Sequence, residues 1–330
     1  MYERKVQKTG GSTYFVTLPK DWADGMGIQP GAMVRLIPND SGALLLVPES
    51  LTGKNQCTIE LSDDWDFDRF QRAIISRYIV GYNVMEIRAK RIRPEQRRMV
   101  REIAQGLVGL EIFDENQSVV TLQALVNVRD FPAERTLSRI YDITQAMLSD
   151  AVSAFCDRDE ELAHDVVERD GDVDRLVLLV SRQFSLLLRD QLLEEDVGLS
   201  RMEFLHFQTV ADQLERVADH ASKISEATVA LPEAILRDVA KEINARAQDA
   251  ILVLKEAVQS FREGDVVLAN KVLKEKERTE RLFAVTRETA SEKMPAAAPS
   301  ISIVVDSLLR IREYAFNIAE SALDVPASVI

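Results

Sequence analysis

The sequence predicts a multidomain α+β chain, with strands at the front, a small α/β segment in the middle and helices throughout the C-terminal part. Three observations support this prediction. Short runs of β-forming residues come first, strand-like and helix-like segments then alternate, and a long internal repeat fills the rest. A chain of 330 residues can hold several cores. We expect domains over residues 1–50, 51–130, 131–230 and 231–330.

The first 50 residues predict two strand pairs around a short helix. The runs RKVQKT and TYFVTL flank the turn Gly10-Gly11. Pro19 then opens a short helix that ends near Gly25 and Gly27, because proline is favoured early in a helix and glycine near its end. The strands MVRLI and ALLLV follow, joined by the turn-rich PNDSG.

Residues 56–128 alternate between strand and helix patterns in the order βαβαββ. This order predicts a small α/β sandwich, which we expect to be of the ferredoxin-like type. The segment also carries a basic cluster: Arg88, Lys90, Arg91, Arg93, Arg97, Arg98 and Arg101. The cluster either binds an anion or supports a DNA contact, or it is a solvated helix face balanced by Glu95 and Glu102. We favour the solvated face.

An internal repeat accounts for the helical part. Residues 150–176 match residues 256–282 at an offset of 106 positions, so that Phe155 falls on Phe261. Residues 214–226 match residues 308–320 at an offset of 94. The offsets differ because a connection is shorter in the later copy. The C-terminal part therefore consists of two copies of one helical unit.

The charge of the chain is unevenly distributed. Residues 131–330 carry the whole net charge of −13, since residues 1–50 and 51–130 are each neutral. An acidic helical part repels polyanions, so any DNA contact is expected at the N-terminal end. The two cysteines stand far apart, and there is neither a long apolar run nor a signal-peptide pattern. We therefore expect a reducing, cytoplasmic location without membrane insertion.

The pattern K-x-G-G-S-T-Y-x-V-T-L-P-K-x-W…G-I-x-x-G resembles the AbrB/SpoVT-type DNA-binding domain over residues 3–48. The resemblance implies a swapped-hairpin β-barrel built from two chains, and hence a homodimer. A homodimer is also expected because a segment of about 45 residues rarely buries enough apolar surface alone. The resemblance implies that DNA-backbone contacts come from these basic residues: Arg4, Lys5, Lys8 and Lys20, with Arg35 as a further candidate. The alternative is that they are ordinary solvated charges, diluted by Asp21 and Asp24.

The blocks QLERVADHASKISE and VVERDGDVDRL resemble the PhoU family of phosphate-uptake regulators, over residues 133–325. This resemblance implies an all-α pair of three-helix bundles whose acidic motifs can hold metal clusters. An AbrB-like domain joined to a PhoU-like part is similar to a class of archaeal phosphate-uptake regulators.

Two acidic pairs are the candidate metal ligands. Asp170 and Asp174 are four residues apart, as are Glu215 and Asp219, so each pair lies on one side of its helix. If the two helices are antiparallel, the pairs differ in level by about 5 Å. Four converging carboxylates would repel one another unless a cation offset them, and iron, manganese, magnesium or zinc is admissible. The alternative is chance, because Glu168 and Asp172 form such a pair on the outer face of the same helix.

The later copy departs from this acidic pattern. The matching positions hold a mixed set of residues: Lys276, Glu280, Leu309 and Glu313. We therefore expect no second cluster, with Lys276 as a candidate to neutralise the two glutamates.

A catalytic alternative rests on two Glu-x-x-His motifs, which match the spacing of di-iron helix bundles. They lie at Glu161/His164 and Glu203/His206, near the starts of consecutive helices. If those helices are antiparallel and about 35 residues long, the motifs are some 50 Å apart. A metal-dependent oxidase is therefore the weakest hypothesis, and we expect no enzyme activity.

The patterns together indicate a DNA-binding transcriptional regulator of phosphate uptake, with the PhoU-like bundles as the signal-receiving part. The competing hypothesis is a PhoU-type adaptor that negatively regulates a phosphate transporter, with a phosphate ABC transporter component as its partner and the barrel used only for dimerisation.

Overall fold

The protein is described by a computed structural model that covers residues 2–38, 42–48, 55–62, 64–189 and 191–324, without the side chains of residues 38, 128, 277–282 and 291. The chain divides into two compact units, Met1–Asn55 and Gln56–Ile330. The predicted four-domain division is finer than this, and its boundaries stay a prediction.

The N-terminal unit holds two antiparallel hairpins and a short helix, as predicted from the strand runs. Its elements in chain order are β1 (Gln7–Thr9), β2 (Thr13–Phe15), α1 (Lys20–Gly25), β3 (Val34–Pro38) and β4 (Leu44–Pro48). Strand β1 pairs with β2, and β3 pairs with β4. Gly10 and Gly11 have positive φ angles of 58° and 82°, which explains glycine in the first turn. Part of the predicted turn PNDSG, residues 39–41, lies outside the described residues.

The middle segment confirms the predicted order βαβαββ. It consists of β5 (Gln56–Glu60), α2 (Phe67–Val80), β6 (Val84–Arg88), α3 (Pro94–Gln105), β7 (Leu110–Glu115) and β8 (Val119–Ala124). The sheet order is β5-β6-β8-β7, with β5 parallel to β6 and the other pairs antiparallel. The ferredoxin-like expectation was wrong, because that fold inserts a strand between the first two parallel strands. Here β5 and β6 are neighbours, and the last two strands form a hairpin.

The C-terminal part contains the two predicted copies. The first copy has α4 (Ala133–Asp157), α5 (Glu160–Leu188), the four-residue α6 (Glu194–Val197) and α7 (Arg201–Val229). The second has α8 (Arg237–Glu263), α9 (Val266–Lys274), α10 (Lys276–Lys293) and α11 (Ala298–Asp324). Helices α9 and α10 together occupy the place of α5, so the middle helix of the second copy is interrupted at Glu275. None of the described helices is both long and apolar enough to cross a membrane.

The tight turn between the first two helices is the same in both copies. Arg158 adopts the left-handed region with φ 55°, and Gly264, at the matching position, has φ 60°. The next residue caps the following helix in both cases, through Asp159 to the N–H of Leu162 at 3.0 Å and through Asp265 to that of Leu268 at 2.9 Å. The repeat seen in the sequence is thus a repeat of backbone geometry.

One hydrophobic core runs through both helical copies, and a second core lies under the middle sheet. Helix α5 connects the two, because Leu178 packs against the core of the middle segment. The buried Arg182 of α5 donates hydrogen bonds to the carbonyls of Tyr78 and Tyr82, at 2.5 and 3.0 Å, and to the side chain of Asn83 at 2.8 Å. Helix α5 is therefore anchored to the C-terminal end of α2.

Candidate functional site: an acidic cluster between two helices

The candidate site lies where α5 and α7 of the first copy pack together. The two helices are antiparallel, since Gln208 near the start of α7 donates to Ser181 near the end of α5 at 3.4 Å. Asp170 lies 18 residues before the end of α5, and Asp219 lies 18 residues after the start of α7. Asp174 and Glu215 are each 14 residues from the same end. The acidic pairs share one level, closer than the 5 Å offset expected from the sequence.

The carboxylates are close enough to influence one another. Desolvation, reinforced by the charges of Asp174 and Asp219, raises the pKa of Asp170 to about 6. Desolvation, followed by the charges of Asp219 and Asp174, raises the pKa of Glu215 to about 7. The pKa of Asp174, which is more exposed, is also raised by desolvation and by the charge of Asp219. The structure thus brings together all four predicted residues.

Buried polar atoms of the cluster lack hydrogen-bond partners of ordinary geometry in the described part of the chain. These are Oδ1 of Asp170 and the hydroxyl of Ser222, although the hydroxyl is near enough to Asp170 to act against the rise of its pKa. A buried carboxylate oxygen without a partner is costly, and a cation would satisfy it. Among the described residues, however, no three His, Cys, Asp or Glu side chains already stand in a ligand-like group. The donor chemistry fits a hard cation, and the carboxylates would have to move into a ligand-like group to bind one.

The second copy replaces repulsion by ion pairs at the matching positions. Lys276, which corresponds to Asp170, lies 3.8 Å from Glu320, which corresponds to Glu226. Glu313, which corresponds to Asp219, pairs with Arg310 at 2.6 Å. The sequence suggested that Lys276 neutralises Glu313. In the structure Lys276 pairs with Glu320 instead, and Glu313 pairs with Arg310. The side chain of Glu280 lies outside the described residues.

The two Glu-x-x-His motifs have ordinary structural explanations. Glu203 caps the start of α7, because its carboxylate accepts a hydrogen bond from the N–H of Ser200 at 2.6 Å. His206 is half-buried, while Glu161 and His164 are exposed near the start of α5. Since α5 and α7 are antiparallel, the two motifs lie at opposite ends of the pair, as expected.

The predicted DNA-contacting residues are all exposed in the N-terminal unit. Arg4, Lys5, Lys8 and Lys20 have solvent-accessible side chains, and so has Arg35. The same unit exposes several large apolar side chains, including Tyr14 at 68% and Met33 at 73%. No hydrophobic core cluster forms among its described residues. The unit, taken as a single chain, therefore leaves its apolar surface uncovered.

The basic cluster of the middle segment is partly neutralised within that segment. Arg97 and Arg101 share Glu115, at 3.5 and 3.0 Å, and Arg88 pairs with Glu86 at 2.5 Å. Of the two expected partners, Glu95 pairs with Arg93 at 3.1 Å, whereas Glu102 makes no ion pair among the described residues. Glu115, which was not expected, makes two. The cluster is largely a solvated, balanced face, which is the interpretation we favoured.

Several residues around the acidic cluster and along α5 were not predicted from the sequence. Glu226 acts on Asp170, and Asp212 acts on Glu215, as further neighbouring charges. Both lie on α7 within two or three turns of Asp219, so helical spacing was the signal that could have found them. Arg182 left no such signal, because its partners are about 100 positions away in the sequence.

Comparisons with known proteins agree with this architecture. A sequence model of the PhoU domain matches residues 137–228 and 244–322, more than half of the chain. The chain belongs to the PhoU domain family. A second model, described as antidote-toxin recognition MazE, bacterial antitoxin, matches residues 7–53. These matches confirm the predicted PhoU part and a MazE/AbrB-like domain in front of it.

Individual relatives support the fold. A phosphate-specific transport system accessory protein PhoU homolog from Aquifex aeolicus (strain VF5) is 26% identical over 141 residues, covering 43% of this chain and 62% of the relative. The match thus spans less than two thirds of that protein. The crystal structure of PhoU from Pseudomonas aeruginosa aligns with a TM-score of 0.51 and 24% identity, over 58% of this chain and 93% of that one. The phosphate transport system regulatory protein PhoU from Streptococcus pneumoniae gives a TM-score of 0.52 and 16% identity, over 59% and 94%.

Proposed function

We propose that this PhoU family member is a dimeric, DNA-binding transcriptional regulator of phosphate uptake. In this proposal the N-terminal domain contacts DNA and the helical bundles receive the phosphate-status signal. The observation that carries it is the combination of a MazE/AbrB-like domain with PhoU domains in one chain. The exposed apolar side chains of the N-terminal unit support association with a second copy, since about 50 residues rarely bury a sufficient core alone.

DNA binding is tested by fluorescence anisotropy with the full chain and DNA from upstream of its own gene, at two salt concentrations. Binding through phosphates weakens steeply as salt rises. Lys8→Gln removes one phosphate contact from each chain of the dimer, so it should lower the slope of log K against log salt by about two. Lys90→Gln, an equal charge change at an exposed lysine of the middle segment, is the matched control and should leave the slope unchanged. Absent or salt-insensitive binding would contradict the proposal.

Self-association is tested by measuring the mass of the full chain in solution. We expect two chains per particle, because the N-terminal unit exposes side chains such as Leu36 and Leu44 that a second copy would cover. A monomer at micromolar concentration would remove the dimer from the proposal.

The second candidate function is a PhoU-type adaptor that acts on a phosphate transporter through protein contacts. The name of the Aquifex relative, an accessory protein of a phosphate-specific transport system, favours it. In that case the chain would be captured by a transporter component, and the N-terminal domain would serve for dimerisation alone. Retention of a transporter component together with failure to bind DNA would favour the adaptor.

The acidic cluster is proposed as a metal site of the signal-receiving part. Oxygen ligands for iron, manganese, magnesium or zinc would come from Asp170, Asp174, Glu215 and Asp219. The positive charge of the cation would offset the repulsion between these carboxylates. Elemental analysis of protein purified without chelator tests it. Asp170→Ala with Glu215→Ala should abolish stoichiometric metal, whereas Glu168→Ala with Asp172→Ala on the outer face should not. Metal retained by the first double variant would place the site elsewhere.

A further inference from the structure

A cavity of about 470 Å³ lies away from the acidic cluster, between the start of α4, the end of α8 and the first turns of α7. Helices α4 and α8 are antiparallel, since Cys156 at the end of α4 accepts a hydrogen bond from Asn244 near the start of α8 at 3.4 Å. The two copies of the repeat therefore meet at this cavity. Its volume is within the range of small-molecule sites, roughly 300–1,000 Å³.

The inner wall of the cavity is apolar. Leu137 of α4 and Val258 of α8 are buried in the bundle core. Phe207 of α7 makes an edge-to-face contact with Phe261, with ring centroids 5.2 Å apart, so its ring orientation is supported. The ring of Tyr141 also packs against the core. The wall thus offers an aromatic and aliphatic surface held in place by three helices.

The rim of the cavity carries two cations without ion-pair partners among the described residues, Lys255 and Arg262. They are seven residues apart and so face the same side of α8. Tyr141 lines the cavity together with Arg262. Desolvation and the charge of Asp142 raise the pKa of Tyr141, and the charge of Arg262 lowers it. These three groups can bind a carboxylate with charge-assisted hydrogen bonds.

Two carboxylates also line the cavity, and they limit the charge of a ligand. The carboxylate of Glu263 accepts hydrogen bonds from the amide of Gln259 at 3.1 and 3.2 Å. Glu134 lies in the first turn of α4, where the positive end of the helix dipole stabilises it. With two cations and two anions around it, the cavity accommodates a single negative charge better than a polyanion.

We propose that this cavity binds a small organic monoanion, with its carboxylate at Lys255, Arg262 and the Tyr141 hydroxyl and its aromatic or aliphatic body against Leu137, Phe207 and Val258. Such a ligand would bridge the two PhoU repeats. The site goes beyond the function proposed above and does not depend on DNA binding or on a metal.

Isothermal titration of the full chain with three probes tests the site. The probes are 2-naphthoate, which has both charge and body, acetate, which lacks the body, and 2-naphthylmethanol, which lacks the charge. We expect 2-naphthoate to bind at least tenfold more tightly than either of the others, since each lacks one of the two kinds of contact. Undetectable binding of 2-naphthoate at millimolar concentration, or equal binding of 2-naphthoate and 2-naphthylmethanol, would overturn the proposal.

Matched variants locate the binding. Arg262→Gln and Lys255→Gln should each weaken 2-naphthoate about tenfold, as expected for the loss of a charged hydrogen bond. Arg237→Gln removes an exposed arginine at the other end of the same helix and should change the affinity less than twofold. Gln259→Trp, at an exposed position of the rim, should block the cavity and abolish binding without unfolding the chain, which circular dichroism checks. Unchanged affinity in Gln259→Trp, or equal affinities in Arg262→Gln and Arg237→Gln, would refute the assignment.

Discussion

Neutralising Glu215 should stabilise the chelator-treated protein at alkaline pH. Desolvation and the charges of Asp219 and Asp174 raise the pKa of Glu215 from 4.5 to about 7. Ionising this group therefore costs the folded protein free energy that the unfolded chain does not lose. Glu215→Gln keeps the shape of the side chain and removes the charge.

The sign and size follow from the raised pKa. A carboxyl group whose folded pKa is raised destabilises the fold fully above about pH 7, and this effect fades as the pH falls towards the unfolded value of 4.5. One pKa unit corresponds to about 1.4 kcal/mol. Because Glu215 is only half-buried and water screens it, we reduce the full value to on the order of 1 kcal/mol. The midpoint of unfolding should then rise by about 2–4 °C at pH 8 and by much less at pH 5.

The assay is thermal unfolding by circular dichroism in EDTA, with variant and wild type compared at each pH so that other titrations cancel. Glu168→Gln, at an exposed position on the outer face of α5, is the control and should change the midpoint little at either pH. An equal gain for Glu168→Gln and Glu215→Gln would mean that net charge, rather than the cluster, sets the effect. A gain of the same size at pH 5 and pH 8 would refute the titration argument.

Three further predictions concern stability, each measured by urea unfolding. Gly264→Ala should lower the free energy of unfolding by about 1 kcal/mol, because its φ of 60° is unfavourable for alanine. Gly171→Ala, in open space within α5, should raise the free energy of unfolding by about 0.5–1 kcal/mol. A change of the same sign in both variants would contradict this prediction. Arg182→Leu should cost about 2–4 kcal/mol because it removes the buried donor of the Tyr82 carbonyl and the Asn83 side chain, although the Tyr78 carbonyl keeps the N–H of Gly81. Arg175→Leu, at an exposed position of the same helix, should stay within about 0.5 kcal/mol. Similar losses for the two variants would show that the buried contacts matter little. Asp170→Lys should stabilise the chelator-treated protein by up to about 1 kcal/mol, because the new lysine can pair with Glu226 as Lys276 pairs with Glu320. A loss of stability would refute the equivalence of the two copies.

Local pattern predicted most of the fold. The hairpins, the order βαβαββ and both helical copies follow from residue periodicity and from turn residues such as Gly10 and Gly264. The order of strands in the middle sheet could not be predicted from local pattern, because one order of elements along the chain is compatible with several strand orders in the sheet. Here the contact of β5 with β6 excludes the ferredoxin-like alternative. The interruption at Glu275 was also missed, since the sequence there has neither proline nor glycine.

The candidate site was predicted in part. Helical spacing identified the four carboxylates and placed the two pairs within about 5 Å of one level, because this placement depends on helix length and direction alone. The anchoring of α5 by Arg182 and the cavity between α4 and α8 depend on contacts between residues about 100 or more positions apart. Such contacts are set by packing between elements and leave no pattern in the local sequence.

The two helical copies differ in a way that indicates a division of roles. At the positions of Asp170 and Glu226 the first copy holds two acids that repel each other, and the second copy holds the ion pair of Lys276 and Glu320. A stable fold does not require the repulsion, because the second copy folds on the same plan without it. Helix α5, which carries the repelling acids, is also the helix that Arg182 fixes to the middle segment. A change in charge at Asp170 therefore acts on α5, the helix that Arg182 fixes to the middle segment. The matching positions of the second copy already form an ion pair, so they offer no such repulsion.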